Sequence, residues 1–488
     1  MRPALSLLLT VAYVIGSILI FVAVGMVSAA LVSAFYSEFE TAMWIAVSAG
    51  ITALAGYAMR QMVPRPQSIT VKQGFATVGL AWFVFSIFGA LPYLLTGAIP
   101  NMTDAVFETA SGFTTTGASI LPDPSVLENG IAFWRGLTQW LGGMGVIVLG
   151  VAVLPLLGTG GMQLAKAESP GPTPDRLTPR FQETAKRLWL VYAVITALEF
   201  LFLVAGDMTA FESIIHSFTT MSTGGFGTEA NSIVGFSAYT QWVIVVFMFL
   251  AGVSFALHFR AFRRPLHYWK SQEFRLYVLI TVVAVVIVAG GLWTDLSPSQ
   301  AIRDAAFNTV SLTTTTGYAS ADFGLWRPAL QIMVVGLMFL GGMAGSTAGA
   351  IKTFRIGVLG KAAFNDLRRL VHPRGVFVTR FGGRSVSDPI VESVQSFFLF
   401  YMFLFMTSTF LLAFIDANLS EGLDLVTATS AVAASIGNIG PGLGDVGPAA
   451  NYALLPGLAK WLLSGLMIVG RLEIFPVLVL FTRDLWRR

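Results

Sequence analysis

Long apolar runs dominate this sequence of 488 residues and limit the folds open to it. A helix of about 20 apolar residues is long enough to cross a bilayer, where every backbone polar group must be paired internally. The sequence contains ten such runs, at approximately residues 5–34, 41–62, 73–98, 131–158, 186–206, 237–259, 274–293, 328–361, 393–416 and 452–481. Only 11% of the residues are charged, which is far below the usual share in soluble domains. We therefore predict an all-α polytopic membrane protein whose first run is a retained helix rather than a cleaved signal.

Four shorter segments between these runs repeat one pattern. They cover about residues 102–120, 209–228, 302–320 and 422–442, and they are too short to cross a bilayer and too apolar for solvated loops. Aligned without gaps, they share a glycine column of Gly117, Gly225, Gly317 and Gly440. Thirteen positions earlier stand Asp104, Glu212, Asp304 and, as the exception, Thr427. Non-helical backbone at membrane depth must be buried in protein or line a watery cavity, so we predict re-entrant pore loops.

The repeated unit is therefore a helix, a re-entrant short helix with its loop, and a second helix. We predict four pseudo-symmetric repeats of this helix–pore loop–helix unit around one pore, preceded by two extra N-terminal transmembrane helices. The predicted boundaries are 1–70 for the helix pair and 71–160, 181–262, 271–362 and 388–488 for the repeats.

The loop sequences indicate coordination of a dehydrated cation. They read TTGAS (115–119), TGGFG (223–227), TTGYA (315–319) and NIGPG (438–442), and potassium filters use rings of backbone carbonyls from four similar loops. The shared glycine suits a positive φ, and a side-chain oxygen opens each loop at Thr115, Thr223, Thr315 and Asn438. The acidic column complements the positive end of each short helix. Alternatively, such small residues are common where membrane helices pack closely, and the fourth loop also allows the register SIGNI (435–439).

Two features of the later spans indicate control of a pore. The eighth span contains GGMAGSTAGAIKT (341–353), whose poor helix formers predict a break at membrane depth. We expect this break to form a gate from residues Gly341, Gly342, Gly345, Ser346, Thr347 and Gly349, with a kinked helix as the alternative. Arg471 lies inside the last span, where a charge is a functional candidate; the alternatives are a pair with Glu473 or snorkelling to the inner surface.

The charges predict one orientation in the membrane. The two termini and the linkers near 60–72, 159–187, 260–275 and 352–392 hold 25 of the 30 basic residues, and basic residues favour the cytoplasm. Both termini are then cytoplasmic and the four loops open outward. The net charge of +4 combines an acidic outer face with a basic inner face, so nucleic acid is not required as a partner. The absence of cysteine excludes disulfides and thiolate metal sites.

The chain resembles the TrkH branch of the TrkH/KtrB/HKT superfamily of potassium transporters. The motifs that carry this resemblance are TTTGAS (114–119), MSTGGFG (221–227), TTTTGYA (313–319), SIGNIGPG (435–442), QWLGGMG (139–145) and GRLEIFP (470–476). The resemblance implies potassium uptake across a bacterial inner membrane by a homodimer. It maps ion coordination to Thr115, Thr116, Thr223, Gly224, Thr315, Thr316, Asn438 and Ile439, the gating loop to 341–350 and the pore arginine to Arg471.

The resemblance also implies a partner and a preference among ions. Similar proteins depend on a cytoplasmic, nucleotide-binding TrkA ring, for which the basic inner linkers are the expected docking surface. Relatives with serine at the first-loop glycine tend towards sodium, so Gly117 favours potassium. No cofactor is expected apart from K+ as the transported ion.

Two other functions remain open at this point. One is an ion-coupled secondary transporter for another cation, Na+ or mixed K+ and Na+, or for another small solute; these proteins usually have inverted repeats, whereas the present units share one orientation. The other is a membrane enzyme, which needs a compact catalytic constellation. The carboxylates here are scattered at span ends, so we predict that the chain is not an enzyme.

Overall fold

The computed structural model of this protein describes residues 3–63, 70–153, 179–419 and 422–486. Parts of the predicted inner linkers 60–72 and 159–187 and the terminal residues 1–2 and 487–488 lie outside the described residues. The described residues are mostly helical. One two-stranded antiparallel hairpin pairs Arg380–Phe381 with Arg384–Ser385.

Six helices of the described residues are long and apolar enough to cross a membrane, judged by length and composition. They are Leu7–Phe35, Phe39–Gln61, Lys72–Thr96, Glu183–Val204, Gln272–Leu292 and Asp388–Ala417. Each overlaps a predicted span with ends that differ by several residues at most. The third has a slight interruption between helices Val71–Gly89 and Leu91–Thr96. The fourth predicted span, 131–158, coincides with the helix Asn129–Val153 as far as residue 153, and residues 154–158 lie outside the described residues.

The three remaining predicted spans are broken helices. The span 237–259 divides into Ala238–Ala251 and Phe255–Ala261, which are bent by 99°. The span 328–361 divides into Pro328–Met338 and Thr353–Val371, and the span 452–481 into Gly457–Arg471 and Phe475–Leu480. The sequence predicted only the second of these breaks. For the spans 237–259 and 452–481 the expectation of a continuous helix was wrong. Apolar composition shows how long a membrane segment is, but it does not show whether its helix is interrupted.

Four short helices, here called the pore helices, precede the four repeated loops. In chain order they are Met102–Phe113, Ala210–Met221, Pro298–Thr313 and Leu425–Gly437, and most of their residues are buried. The remaining short elements are helices His267–Lys270 and Arg483–Trp486 and the 3₁₀ turns Pro124–Val126, Phe323–Leu325 and Gly444–Val446.

The predicted acidic residue at the start of each pore helix is present in the first two. Asp104 lies in the first turn, and Glu212 forms a capping box with Thr209. The expectation is wrong for Asp304, because the third pore helix already begins at Pro298. In the fourth, the side chain of Asp424 accepts a hydrogen bond from the Thr427 amide as the N-cap. Negative charge near a helix N-terminus is favourable, so the fourth repeat keeps this interaction three residues outside the aligned column.

Glycines allow the helix Asn129–Val153 to approach the first two loops closely. A Cβ atom on Gly142 would lie closer than 3.0 Å to the backbone of Phe113, and one on Gly143 would lie 2.8 Å from Cα of Ser222. Real Cβ atoms do not approach other atoms so closely. The motif QWLGGMG (139–145) therefore packs a helix against the ends of two pore helices.

Candidate ion-conduction site

The four loops that follow the pore helices have the same backbone conformation. Their first residues lie in the left-handed region, with φ of 51° at Thr115, 55° at Thr223, 58° at Thr315 and 54° at Asn438. Two residues later φ is again positive, at 84° for Gly117, 73° for Gly225, 83° for Gly317 and 105° for Gly440. A positive φ is uncommon for threonine and marks strain that the surroundings must hold in place.

The same pattern distinguishes the two registers of the fourth loop. Asn438 and Gly440 have the signs of φ found at the first residue and the glycine of the other loops, whereas Gly437 is still helical. The register NIGPG (438–442) therefore has the local geometry of the other three loops, and SIGNI (435–439) does not.

The four loops form a closed ring. A Cβ atom on each shared glycine would lie closer than 3.0 Å to a carbonyl oxygen of the next loop: Gly117 to Gly224, Gly225 to Thr316, Gly317 to Ile439, and Gly440 back to Thr116. Those four carbonyls belong to the residues immediately before each shared glycine. The sequence-predicted residues Thr116, Gly224, Thr316 and Ile439 thus lie together, and any side chain in the glycine column would overlap the ring.

The side-chain oxygens at the start of the loops are buried but not equivalent. Thr115 Oγ1 and Asn438 Oδ1 have no hydrogen-bond partner among the described residues. Thr223 Oγ1 donates to the Ser222 carbonyl at 2.6 Å, and Thr315 Oγ1 accepts from the Gly349 amide at 2.6 Å. All four predicted side chains are thus buried at the start of their loops, and the oxygens of two of them are unengaged.

Gln139 is a contact residue that the sequence reasoning did not single out. Its Nε2 donates to the Gly224 carbonyl at 2.8 Å, and its Oε1 accepts from the Phe226 amide at 3.1 Å. It therefore clamps the second loop on both sides of Gly225. Its only sequence signal was its place at the start of QWLGGMG.

The predicted break in the eighth span is a loop between Met338 and Thr353, here called the intramembrane loop. A parallel bridge joins Leu340 to Ile351 at its base. Gly349, two residues before this bridge, contacts the ring: its amide donates to Thr315 Oγ1, and a Cβ on Gly349 would overlap the Gly437 carbonyl. The predicted gate residues therefore lie in one continuous loop, which contacts the third and fourth loops of the ring through Gly349.

A buried lysine ties the intramembrane loop to itself. Lys352 is 6% exposed, and its Nζ donates to the carbonyls of Ala348, at 2.5 Å, and Ser346. Carbonyls freed by the broken helix thus gain a charged donor, as buried backbone groups require. No role for Lys352 was predicted from the sequence.

Arg471 contacts the intramembrane loop and not Glu473. It is 3% exposed, and its Nη1 donates to the Thr347 carbonyl at 2.7 Å. Its Nε and Nη2 have no hydrogen-bond partner among the described residues. Glu473 instead accepts from Arg355 at 2.5 Å. The alternative in which Glu473 pairs with Arg471 is therefore wrong, and the unpaired guanidinium faces the same loop as the candidate gate.

Fold and site together define a helical membrane protein in which four re-entrant loops surround one ring of carbonyl oxygens. The chain belongs to the TrkH family of cation transport proteins, whose family model matches residues 37–487. It is 40% identical over 487 residues to the Trk system potassium uptake protein TrkH of Halomonas elongata, covering 97% of this chain and 98% of that protein. The protein of the same name from Escherichia coli K12 is 41% identical over 425 residues, with 85% and 86% covered.

A solved structure has the same fold. The crystal structure of the potassium transporter TrkH from Vibrio parahaemolyticus matches with a TM-score of 0.90 and 35% sequence identity, and the match covers 98% of this chain and all of that one. Members of this family are transport proteins, so the chain is not an enzyme. Among the described residues no group of three His, Asp or Glu side chains is arranged to hold a metal ion.

Proposed function

We propose that this protein takes up potassium ions across the bacterial inner membrane through the ring of four loops. The observation that carries the proposal is the closed ring itself, in which each shared glycine faces a carbonyl of the next loop. Carbonyl rings replace the hydration shell of K+ in known filters. The names of the relatives, which are potassium uptake proteins, support the same ion.

The carbonyls that coordinate K+ belong to the residues at the first and second loop positions. These are Thr115, Thr116, Thr223, Gly224, Thr315, Thr316, Asn438 and Ile439. The unengaged oxygens of Thr115 and Asn438 add side-chain ligands at the inner end. The C-terminal ends of the four pore helices precede these residues directly, and their partial negative charge favours a cation there.

The intramembrane loop and Arg471 form the gate in this proposal. The loop touches the ring through Gly349, and Arg471 holds it at Thr347. A buried guanidinium at this depth adds an electrostatic barrier to a passing cation. To open the gate, the intramembrane loop must leave the ring. Arg471 must then either move with the loop or release the Thr347 carbonyl.

In this proposal, a cytoplasmic, nucleotide-binding subunit of the TrkA type controls the gate. The protein is a homodimer, and both of its termini are cytoplasmic. The exposed helix Thr353–Val371 supports such control because it begins directly at the end of the intramembrane loop. In its C-terminal half Leu370 is 79% exposed, and Arg368 and Arg369 lie in the last turn. A partner bound there pulls on the loop without an intervening linker.

Growth of cells that lack their own K+ uptake tests the transport proposal. Expression of this chain with its TrkA-type partner restores growth at low K+, and failure with both proteins in the membrane contradicts the proposal. K+ flux in liposomes under a K+ gradient alone, with no proton or sodium gradient, separates a channel from the alternative of a coupled transporter, because only coupled uptake then stops. Light scattering of the purified protein tests the homodimer.

Substitution of Gly117 by serine tests the filter. The new side chain would overlap the Gly224 carbonyl at a φ of 84°, so we expect the preference for K+ over Na+ to fall. Gly97→Ser is the matched control, because Gly97 also has a positive φ, 75°, but a Cβ there meets no atom within 4 Å. Unchanged selectivity in Gly117→Ser contradicts the assignment of the ring.

A further inference from the structure

In each repeat, a polar side chain of the pore helix is hydrogen-bonded to the chain segment beyond the shared glycine, through its backbone or its side chains. In the first repeat, Glu108 lies nine residues before Gly117 and is fully buried. Its carboxylate accepts from Ser119 Oγ at 2.9 Å and from the Ile120 amide at 2.9 Å. The contact therefore spans the loop and ties its outer limb to its own pore helix.

The same position has this contact in the second and third repeats with different chemistry. His216 Nε2 lies 3.1 Å from Thr228 Oγ1. Asn308 Nδ2 donates to Ser320 Oγ at 3.1 Å, and its Oδ1 accepts from the Ser320 amide at 3.3 Å. Each side chain again lies nine residues before its shared glycine and is fully buried.

The fourth repeat has the contact one position earlier in the pore helix. The aligned residue is Ala431, which cannot hydrogen-bond through its side chain. Its neighbour Ser430, also fully buried, accepts from the Leu443 amide at 2.8 Å. In every repeat, the pore-helix side chain is thus hydrogen-bonded to the third residue after the shared glycine. These residues are Ile120, Thr228, Ser320 and Leu443.

We propose that Glu108, His216, Asn308 and Ser430 are positioning residues that hold the carbonyl ring at the width that selects K+. The inference rests on the proposed function of the ring. The loops contain left-handed threonines and make no sheet or helix ladder of their own, so their shape must be imposed from outside. The hydrogen bond fixes the chain segment that follows each shared glycine. The pore helix fixes the loop residues that precede the glycine.

Two of the four positioning residues also join neighbouring loops. Glu108 accepts from Arg135 Nε at 2.7 Å, and Arg135 Nη1 donates to the Gly227 carbonyl beyond the second loop at 2.9 Å. His216 Nδ1 lies 2.9 Å from the hydroxyl of Tyr318, which follows the third shared glycine. Substitutions of Glu108 or His216 therefore disturb two loops each, whereas Asn308 and Ser430 act on one.

The test uses the two positioning residues that act on a single loop. Asn308→Ala and Ser430→Ala are purified, reconstituted into liposomes and compared with the unsubstituted protein for the ratio of K+ flux to Na+ flux. The ratio does not depend on how much protein folds. We expect it to fall roughly fivefold in each variant, the effect of losing one net hydrogen bond of about 1 kcal/mol.

Matched controls distinguish positioning from general loss of a buried polar group. Thr309→Val alters the neighbour of Asn308 in the same helix, and Thr309 Oγ1 is buried without a hydrogen-bond partner among the described residues, so the ratio should not change. Ser430→Thr keeps the hydroxyl and should retain most of the selectivity. An unchanged ratio in both alanine variants overturns the inference while leaving the filter proposal intact. Absence of K+ selectivity in the unsubstituted protein overturns the proposed function instead.

Discussion

Removing the guanidinium of Arg471 should increase ion flux in the absence of any partner. Arg471→Met keeps a long apolar side chain at this buried position but removes both the charge and the donor to Thr347. The intramembrane loop then loses one of its anchors, and the pathway loses a positive charge. Both changes favour the passage of a cation.

The size of the effect follows from the contact with Thr347. A hydrogen bond from a charged donor contributes roughly 1.5–3 kcal/mol, and each 1.4 kcal/mol is about a tenfold change in an equilibrium constant. We take the 2.7 Å hydrogen bond from Arg471 to the Thr347 carbonyl to form only in the closed state. Its removal by substitution then raises the fraction of protein with an open loop by roughly 10- to 100-fold. Loss of the electrostatic barrier adds to this figure.

The assay is K+ flux in liposomes that contain the purified protein without a partner. Arg471→Lys separates the two contributions, because it keeps the charge while changing the donor. Thr347→Val is a second comparison: it removes the side-chain contact of Thr347 with the Met221 and Ala251 carbonyls but keeps the carbonyl that Arg471 binds. Flux in Arg471→Met that equals that of the unsubstituted protein refutes the role of this residue in the gate.

Two further predictions concern stability outside the ring. Lys460→Met removes a buried donor that binds Asp104 at 2.6 Å and the Ala453 carbonyl at 2.8 Å. We expect the free energy of unfolding to fall by about 1–3 kcal/mol, the cost of leaving its partners unsatisfied, and the unfolding temperature to fall with it. Adding Asp104→Asn should recover part of this loss, and additive losses in the double variant would contradict the pairing. Glu38→Ala removes the carboxylate that accepts from the amides of Asn129, at 2.8 Å, and Gly130. It should lower the free energy of unfolding by about 1 kcal/mol and leave K+ selectivity unchanged. Glu40→Ala should also leave selectivity unchanged and should lower the unfolding temperature less, because the exposed Glu40 contributes only a weak helix-dipole interaction in its first turn.

The sequence predicted the features that each repeat carries within itself. Apolar length predicted the membrane helices, and the alignment of the four segments predicted which glycines have a positive φ. Both depend on residues that are close together in the chain. The glycine run at 341–353 likewise predicted a break, because helix propensity is a local property.

Contacts between repeats could not be read in the same way. A pair of Glu473 with Arg471, two residues away, was one of the alternatives, but Glu473 forms its ion pair with Arg355 because the break after Arg471 turns the chain. His216 had no predicted role, since its partner Tyr318 lies 102 residues further along the chain. Such pairings depend on which loops are neighbours in the closed ring, and one sequence does not contain that information.

The break in the span 237–259 and the intramembrane loop satisfy each other's backbone groups. The Met343 amide donates to the Gly252 carbonyl at 2.8 Å, and the Phe255 amide donates to the Gly345 carbonyl at 3.0 Å. Unpaired backbone groups are costly at membrane depth. The loop therefore cannot leave its position unless the helix Phe255–Ala261 moves with it or water enters, and we expect the second repeat to take part in gating.

Gly252→Ala tests this coupling. A Cβ atom there would lie 2.5 Å from the hydroxyl oxygen of Tyr277 and 2.8 Å from Thr314 Cγ2, so the break must shift and its bond to Met343 weaken. Loss of one such hydrogen bond should raise basal K+ flux in liposomes by roughly fivefold. Gly290→Ala is the control, because a Cβ there meets no atom within 4 Å. Adding Tyr277→Phe removes the hydroxyl but leaves the contact with Thr314, so it should bring the flux only part of the way back. Flux in Gly252→Ala that equals that of the unsubstituted protein refutes the coupling.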